Sequence, residues 1–178
     1  IEEVRGRILL LAGVGFSPKS GMNAAIGDIL NSGRYSIYVS NIAEEGVLIQ
    51  GNNLWMPREG TSGDAVQYDN LARDMDVEIG GWSFGAQFGD LNNDGNLDLV
   101  TASIPNPKRG DGVAFVLLGD GTGGFAKSAK VPVNPEPTSV ATADLNNDGK
   151  VDFVVAGAQP SNRTGNFFMS FLGDGTGN

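Results

Sequence analysis

From Trp82 onward the chain alternates short apolar runs with clusters of Gly, Asn and Asp. Trp82–Phe88 and Ser139–Ala143 lead into Asp-rich segments, and Leu99–Ile104 and Phe153–Ala158 lead out of them. Val113–Leu118 and Phe167–Leu172 follow, each ending in a Gly-Asp-Gly turn, and Phe125–Val131 supplies one further run. Runs this short, bounded by turn formers, predict strands joined by tight turns. Ala65–Arg73 is the single stretch that hints at a helical turn. The longest apolar stretch, Ile8–Phe16, is broken by Gly13 and Gly15 and is far too short to span a bilayer. It reads as a buried strand, not as a signal peptide.

The strands recur with a fixed period. Asp90-Leu-Asn-Asn-Asp-Gly-Asn-Leu-Asp98 returns as Asp144-Leu-Asn-Asn-Asp-Gly-Lys-Val-Asp152, a step of 54 residues. Leu118-Gly-Asp-Gly-Thr-Gly123 returns as Leu172-Gly-Asp-Gly-Thr-Gly177 with the same step. A weaker copy, Gly27-Asp-Ile-Leu-Asn-Ser-Gly-Arg-Tyr-Ser36, lies 62 residues before the second, its extra residues falling between Trp55 and Gly80. Two landmarks sharing one period define a structural unit. The approximate repeats are 21–80, 81–134 and 135–178, the last truncated. Four short antiparallel strands per unit form the blade of a β-propeller, so the expected fold is all-β. The 178 residues hold about three blades. A ring closes with four to eight, so further blades from the same polypeptide or another chain are expected.

Composition narrows the chemistry. There is no His and no Cys, which excludes Cys/His zinc sites, Ser-His-Asp and Cys-His catalysis, and disulfides within the chain. Fourteen Asp and seven Glu face 12 Lys plus Arg, for a net charge of −9. Nucleic-acid sites need a basic stripe, so that partner class is set aside. No membrane insertion is expected.

The Asp-rich loops suit a hard cation. Calcium takes six to eight oxygen ligands at about 2.3–2.6 Å, and alternate residues of a tight loop can aim theirs inward. Asp90, Asn92, Asp94 and Asp98 supply side-chain oxygens, and Asn96 a backbone carbonyl. Asp144, Asn146, Asp148 and Asp152 repeat the scheme, with Lys150 in the carbonyl role. Gly95 permits the sharp turn. An EF-hand would need a bidentate Glu at its twelfth position, where Thr101 and Val155 stand, so that motif is excluded. Two bound Ca²⁺ would move the net charge from −9 to −5. The first loop keeps Asp28 but has Leu30, Ser32 and Ser36 at ligand positions, and reads as a turn that has lost its metal.

These units resemble the FG-GAP/VCBS repeats of integrin α-subunit propellers and of many secreted microbial proteins. Phe84-Gly85 matches the first half of that name, and Ala156-Gly-Ala-Gln-Pro160 is similar to the second half with Gln159 inserted. The other unit departs further, with Thr101-Ala-Ser-Ile-Pro105. Gly81-Trp-Ser-Phe-Gly-Ala-Gln-Phe-Gly-Asp90 resembles the ASPIC/UnbV subgroup. The resemblance implies calcium held in the Asp loops of each blade.

Other motifs carry less. Gly119-Asp-Gly-Thr-Gly-Gly124 satisfies G-x-G-x-x-G, but no helix is expected after it and it has a twin at 173–177, so it reads as a hairpin turn. Arg109-Gly110-Asp111 is the tripeptide integrins recognise, and Asn162-Arg-Thr164 is an N-glycosylation sequon. Tyr35, Trp55, Tyr68 and Trp82 could stack on sugar rings, although such residues also fill gaps between blades. The leading expectation is a non-catalytic, calcium-stabilised propeller segment of an extracellular or cell-surface recognition or adhesion protein, binding a protein or glycan. The alternatives are a propeller of a secreted carbohydrate-active lyase or dehydratase or a lectin, and a structural unit of a multi-chain ring or fibre.

Overall fold

A computed structural model describes residues 21–42, 51–62, 66–78, 81–105, 111–133, 135–158 and 165–177. Ile8–Phe16, Ala65, Arg109, Gly110 and the Asn162–Thr164 sequon lie outside them.

The first sheet consists of β1 (Gly21–Gly27), β2 (Ser36–Asn41), β3 (Asn53–Pro57) and β4 (Tyr68–Asn70). The second consists of β5 (Trp82–Gly89), β6 (Asp98–Ile104), β7 (Gly112–Gly119) and β8 (Phe125–Val133). The third holds β9 (Pro137–Ala143), β10 (Asp152–Ala158) and β11 (Asn166–Phe171). Each sheet is an antiparallel meander in chain order, and no strand crosses to another sheet. This is the β-propeller blade form, and the sheets coincide with the sequence repeats.

The expected helical turn at Ala65–Arg73 is corrected. Its described part contains β4, whose Met56↔Asp69 pairing completes the first sheet. The Asn70 side-chain oxygen accepts the Leu54 and Ala72 N–H groups at 3.1 and 3.3 Å. That side chain ends the strand by satisfying backbone donors the ladder no longer reaches. The helix-like turn begins at the end of that stretch and runs past it, with Met75 N–H bonded to Leu71 O and Val77 N–H to Ala72 O.

The strand period of two places alternate side chains on opposite faces, and both faces of the middle sheet are covered. One face carries the cross-strand row Phe88, Leu99 and Leu117, buried with Ala25, Ile29, Tyr38, Leu54 and Met56 of the first sheet. The other carries Val100, Ala102, Ala114 and Val116, buried with Val140, Phe153 and Val155 of the third. The first strands of consecutive sheets lie side by side. Asn23 Oδ1 of β1 accepts the Ala86 N–H of β5 at 3.1 Å, and Thr142 Oγ1 of β9 donates to Phe88 O at 2.9 Å. Close approach requires glycine here: a Cβ on Gly85 would lie 2.7 Å from Val140 N and 2.8 Å from Ser139 Cα.

Candidate metal loops

Each Asp-rich loop joins the first two strands of its sheet, and the three loops share one backbone. Asp28 accepts the N–H groups of Ser32 and Gly33 at 3.0 and 2.6 Å. Asp90 does the same for Asp94 and Gly95 at 3.1 and 3.0 Å, and Asp144 for Asp148 and Gly149 at 3.2 and 2.9 Å. Asn31, Asn93 and Asn147 all have positive φ (50°, 58°, 60°), as do Gly33, Gly95 and Gly149. Asn tolerates the left-handed region and Gly occupies it freely, which explains why both residue types recur at fixed places. Losing Leu30, Ser32 and Ser36 as ligands therefore leaves the first turn intact.

Within the second loop, Asn92 Oδ1 also accepts the Asp94 N–H (3.1 Å), and Asp94 Oδ1 accepts the Asn96 N–H (2.7 Å). The third loop repeats both contacts through Asn146 and Asp148, with Lys150 N–H as the donor at 3.0 Å. The Asn96 side-chain oxygen is taken by Asn31 Nδ2 at 2.9 Å. The Asn96 N–H first, and then the Asn92 Nδ2 that donates to Asp94 Oδ2 at 3.0 Å, hold the Asp94 carboxyl below the ordinary carboxylate range.

The ninth residue of each loop behaves differently. Asp98 and Asp152 open β6 and β10 with no exposed surface. Asp98 accepts the Leu91 N–H at 2.7 Å and, across 21 residues, the Gly119 N–H at 2.9 Å. Asp152 accepts Leu145 N–H at 2.8 Å and Gly173 N–H at 2.7 Å. Each carboxylate thus clamps its loop to the Gly-Asp-Gly turn at the far end of the third strand. Burial raises the Asp98 carboxyl; the Gly119 and Leu91 N–H groups oppose this, and the charges of Asp94 and Asp90 add to the rise. Asp152 is lowered, with the Gly173 and Leu145 N–H groups leading and the Lys150 ammonium contributing. The directions differ because burial leads at Asp98, in the sandwiched middle sheet, whereas the N–H donors lead at Asp152 and the Lys150 ammonium adds to them.

In the first unit both halves of this clamp are changed. Ser36 occupies the place of Asp98, and Pro57 the place of Gly119. Proline has no N–H to give. A buried aspartate there would lose one of its two donors, and Ser36 Oγ is itself buried without a hydrogen-bond partner. Arg34, at the position of Asn96, holds loop to turn instead: its Nη2 donates to Arg58 O and Thr61 O, both at 2.8 Å.

The candidate ligands thus stand together on two loops of one design. The donor set, all oxygens and mostly carboxylates, suits a hard divalent cation. Asp98 is a buried carboxylate to which the charges of Asp90 and Asp94 couple, and among the described residues no Lys or Arg forms an ion pair with it. No three carboxylates converge to ligation distance among the described residues, the loop N–H groups taking their oxygens instead. The backbone clamp at Asp98 and Asp152 was missed from sequence, because its second partner lies 21 residues away in each case. The Gly119 turn is, as expected, a hairpin: Asp120 Oδ1 accepts the Thr122 and Gly124 N–H groups, and β8 follows.

Repeated antiparallel meanders, two of four strands and one of three among the described residues, with an acidic turn after each first strand, define the chain as a β-propeller segment. Residues 90–155 match the FG-GAP-like repeat family. No curated protein matches the chain. Nineteen solved chains match its fold. One is the crystal structure of a GH43_1 enzyme from Xanthomonas citri, 16% identical with a TM-score of 0.48, which covers 80% of this chain. The match spans 42% of that enzyme's chain.

Proposed function

We propose that this chain is the calcium-binding propeller segment of an extracellular or cell-surface recognition protein, in which calcium is structural and the segment non-catalytic. One observation carries the reading: the same acidic loop occurs twice, each time ending in a wholly buried carboxylate, Asp98 or Asp152. Asp90, Asn92, Asp94 and Asp98 would hold one ion with the Asn96 carbonyl, and Asp144, Asn146, Asp148 and Asp152 the other with the Lys150 carbonyl. Bound calcium would supply positive charge to each group of three carboxylates, of which the second has only like charges acting on Asp98 and the third has the Lys150 ammonium beside Asp152. The chain's own part is to present these oxygens on a turn already formed by backbone hydrogen bonds, so that binding orders few residues. Sites of modest affinity fill at extracellular calcium levels, which favours that compartment. A rigid acidic scaffold with its loops on one edge suits a protein or glycan partner.

Calorimetric titration of the metal-free chain tests this. Two calcium ions per chain are expected, together with a melting temperature that falls on adding chelator. A flat titration and an unchanged melt would remove calcium from the account.

A further inference from the structure

The loops 90–98 and 144–152 share every candidate side-chain ligand and differ at two places, Asn96 against Lys150 and Leu97 against Val151. Leu97 and Val151 are both apolar and pack, partly buried, on the sheet cores. The seventh position therefore carries the whole difference in charge. Three carboxylates stand alone in the second loop, and in the third they share the loop with one ammonium.

That position has a fixed place in the fold. In each unit its side chain lies on the turn that follows the third strand. Arg34 reaches the turn after β3, where its Nη2 donates to Arg58 O and Thr61 O. Asn96 lies over Gly121 and leaves no room there for a Cβ, and its Oδ1 accepts from Asn31 Nδ2 of the preceding loop at 2.9 Å. Lys150 lies along Gly175, its Cδ, Cγ and Cε atoms 3.3, 3.5 and 3.6 Å from where a Cβ would stand. The methylene stem is thus laid on the turn, and the ammonium acts electrostatically on Asp152 of the loop and Asp174 of the turn. This turn sits in the seam between the second and third sheets, where Gly177 meets Leu118 and Asn92.

We propose that Lys150 makes the third loop the weaker of two calcium sites, so that the second loop fills first and the third answers only to a higher calcium concentration. This rests on the calcium reading of both loops. Affinity in oxygen-ligand loops follows the charge of the ligands and the rigidity of the site. Both favour the second loop. It holds no ammonium, and Asn31 braces Asn96, whose carbonyl is a candidate ligand. The third loop has no matching brace, because Lys150 offers Asn93 no side-chain acceptor. One positive charge within about 10 Å of a divalent ion, screened by water and salt, weakens binding about three- to tenfold. Over the intervening calcium range one loop is filled and the other open, which makes the third sheet the calcium-responsive unit.

Calorimetric titration of the full chain at low salt tests this. Asp144→Asn disables the third loop and Asp90→Asn the second, so each variant reads the other loop alone, with its fold checked by circular dichroism. The Asp144→Asn chain is expected to bind one calcium about three- to tenfold tighter than the Asp90→Asn chain. Adding Lys150→Gln to Asp90→Asn should close most of that gap, Lys150→Arg should leave it open, and about 0.5 M NaCl should narrow it. The wild type needs no substitution and should titrate in two unequal steps that salt draws together. Equal affinities in the two single-loop chains, a gap that Lys150→Gln does not move, or two wild-type steps indifferent to salt would overturn the inference and leave two calcium sites standing. A wild type that takes up no calcium would remove the calcium reading and this inference together.

Discussion

Replacing Asp98 by Ala separates its role as a clamp from its role as a ligand. The carboxylate is wholly buried and accepts N–H groups from Leu91 and Gly119, both themselves buried. Truncation leaves two backbone donors in a dry seam, and each unsatisfied donor costs about 1–3 kcal/mol. The expected loss is about 2–5 kcal/mol after partial relaxation. For a chain of this size it lowers the melting temperature by roughly 5–20 °C, at about 2–4 °C per kcal/mol. Asp98→Asn should cost about half as much, because the amide keeps one acceptor while its NH₂ faces the second donor. Calorimetric melts in chelator make the comparison clean, since no metal contributes there. Asp94→Asn is the control: Asp94 is exposed, and the amide can still accept the Asn96 N–H. In chelator it should stay within about 0.5 kcal/mol of wild type, as surface changes do, while losing part of any stabilisation that the proposed calcium would add. Equal melts for Asp98→Ala and wild type in chelator would refute the clamp.

Arg34→Ala should loosen the turn at Arg58–Thr61, costing about 1 kcal/mol at this half-exposed site. Trypsin should then cut after Arg58 faster, with the calcium response unchanged. Gly85→Ala drives a Cβ into the β9 backbone at 2.7 Å from Val140 N, for a loss of about 1–3 kcal/mol in thermal melts. Stability of the metal-free chain should fall as pH drops below the ordinary carboxylate value of 3.8. Asp120 and Asp174 are held below that value, by the Thr122 N–H and the Thr176 hydroxyl first. The unfolded chain therefore takes up protons before the folded one. Asp120→Asn should flatten that fall in urea titrations between pH 3 and 5. Asp98, raised by burial, contributes the opposite slope just above 3.8.

The strands were legible from sequence because each is bracketed by turn residues that do little else. Gly33, Gly95 and Gly149 adopt positive φ, and the acidic residue five positions before each receives the freed N–H groups. The turn that carries the candidate ligands is a local loop for the same reason, with every candidate oxygen within nine residues, while among the described residues no three of its carboxylates come to ligation distance. Two features escaped. Tyr68–Asn70 lacks apolar alternation, since β4 is held by the Arg58–Asp69 pair and by Asn70 and not by a buried face. The clamp escaped because Gly119 and Gly173 act through their backbones, which leaves no chemical mark at their own positions. Its trace is the paired loss of carboxylate at Ser36 and donor at Pro57, visible once β2 and β3 are in register.

Packing between sheets runs mainly between sequence neighbours: β1 on β5, and β5 on β9. Such a row behaves as a short one-dimensional chain of coupled units, its stability a sum of unit and seam terms. Among the described residues the middle sheet has two seams to lose, and each outer sheet one. Opening should therefore begin at the ends and spread inward, a fraying of whole sheets. Amide hydrogen exchange would record this as a gradient, with β6 and β7 slowest. Mutations that weaken one seam would then loosen the sheet on one side of it without melting the sheets on the other.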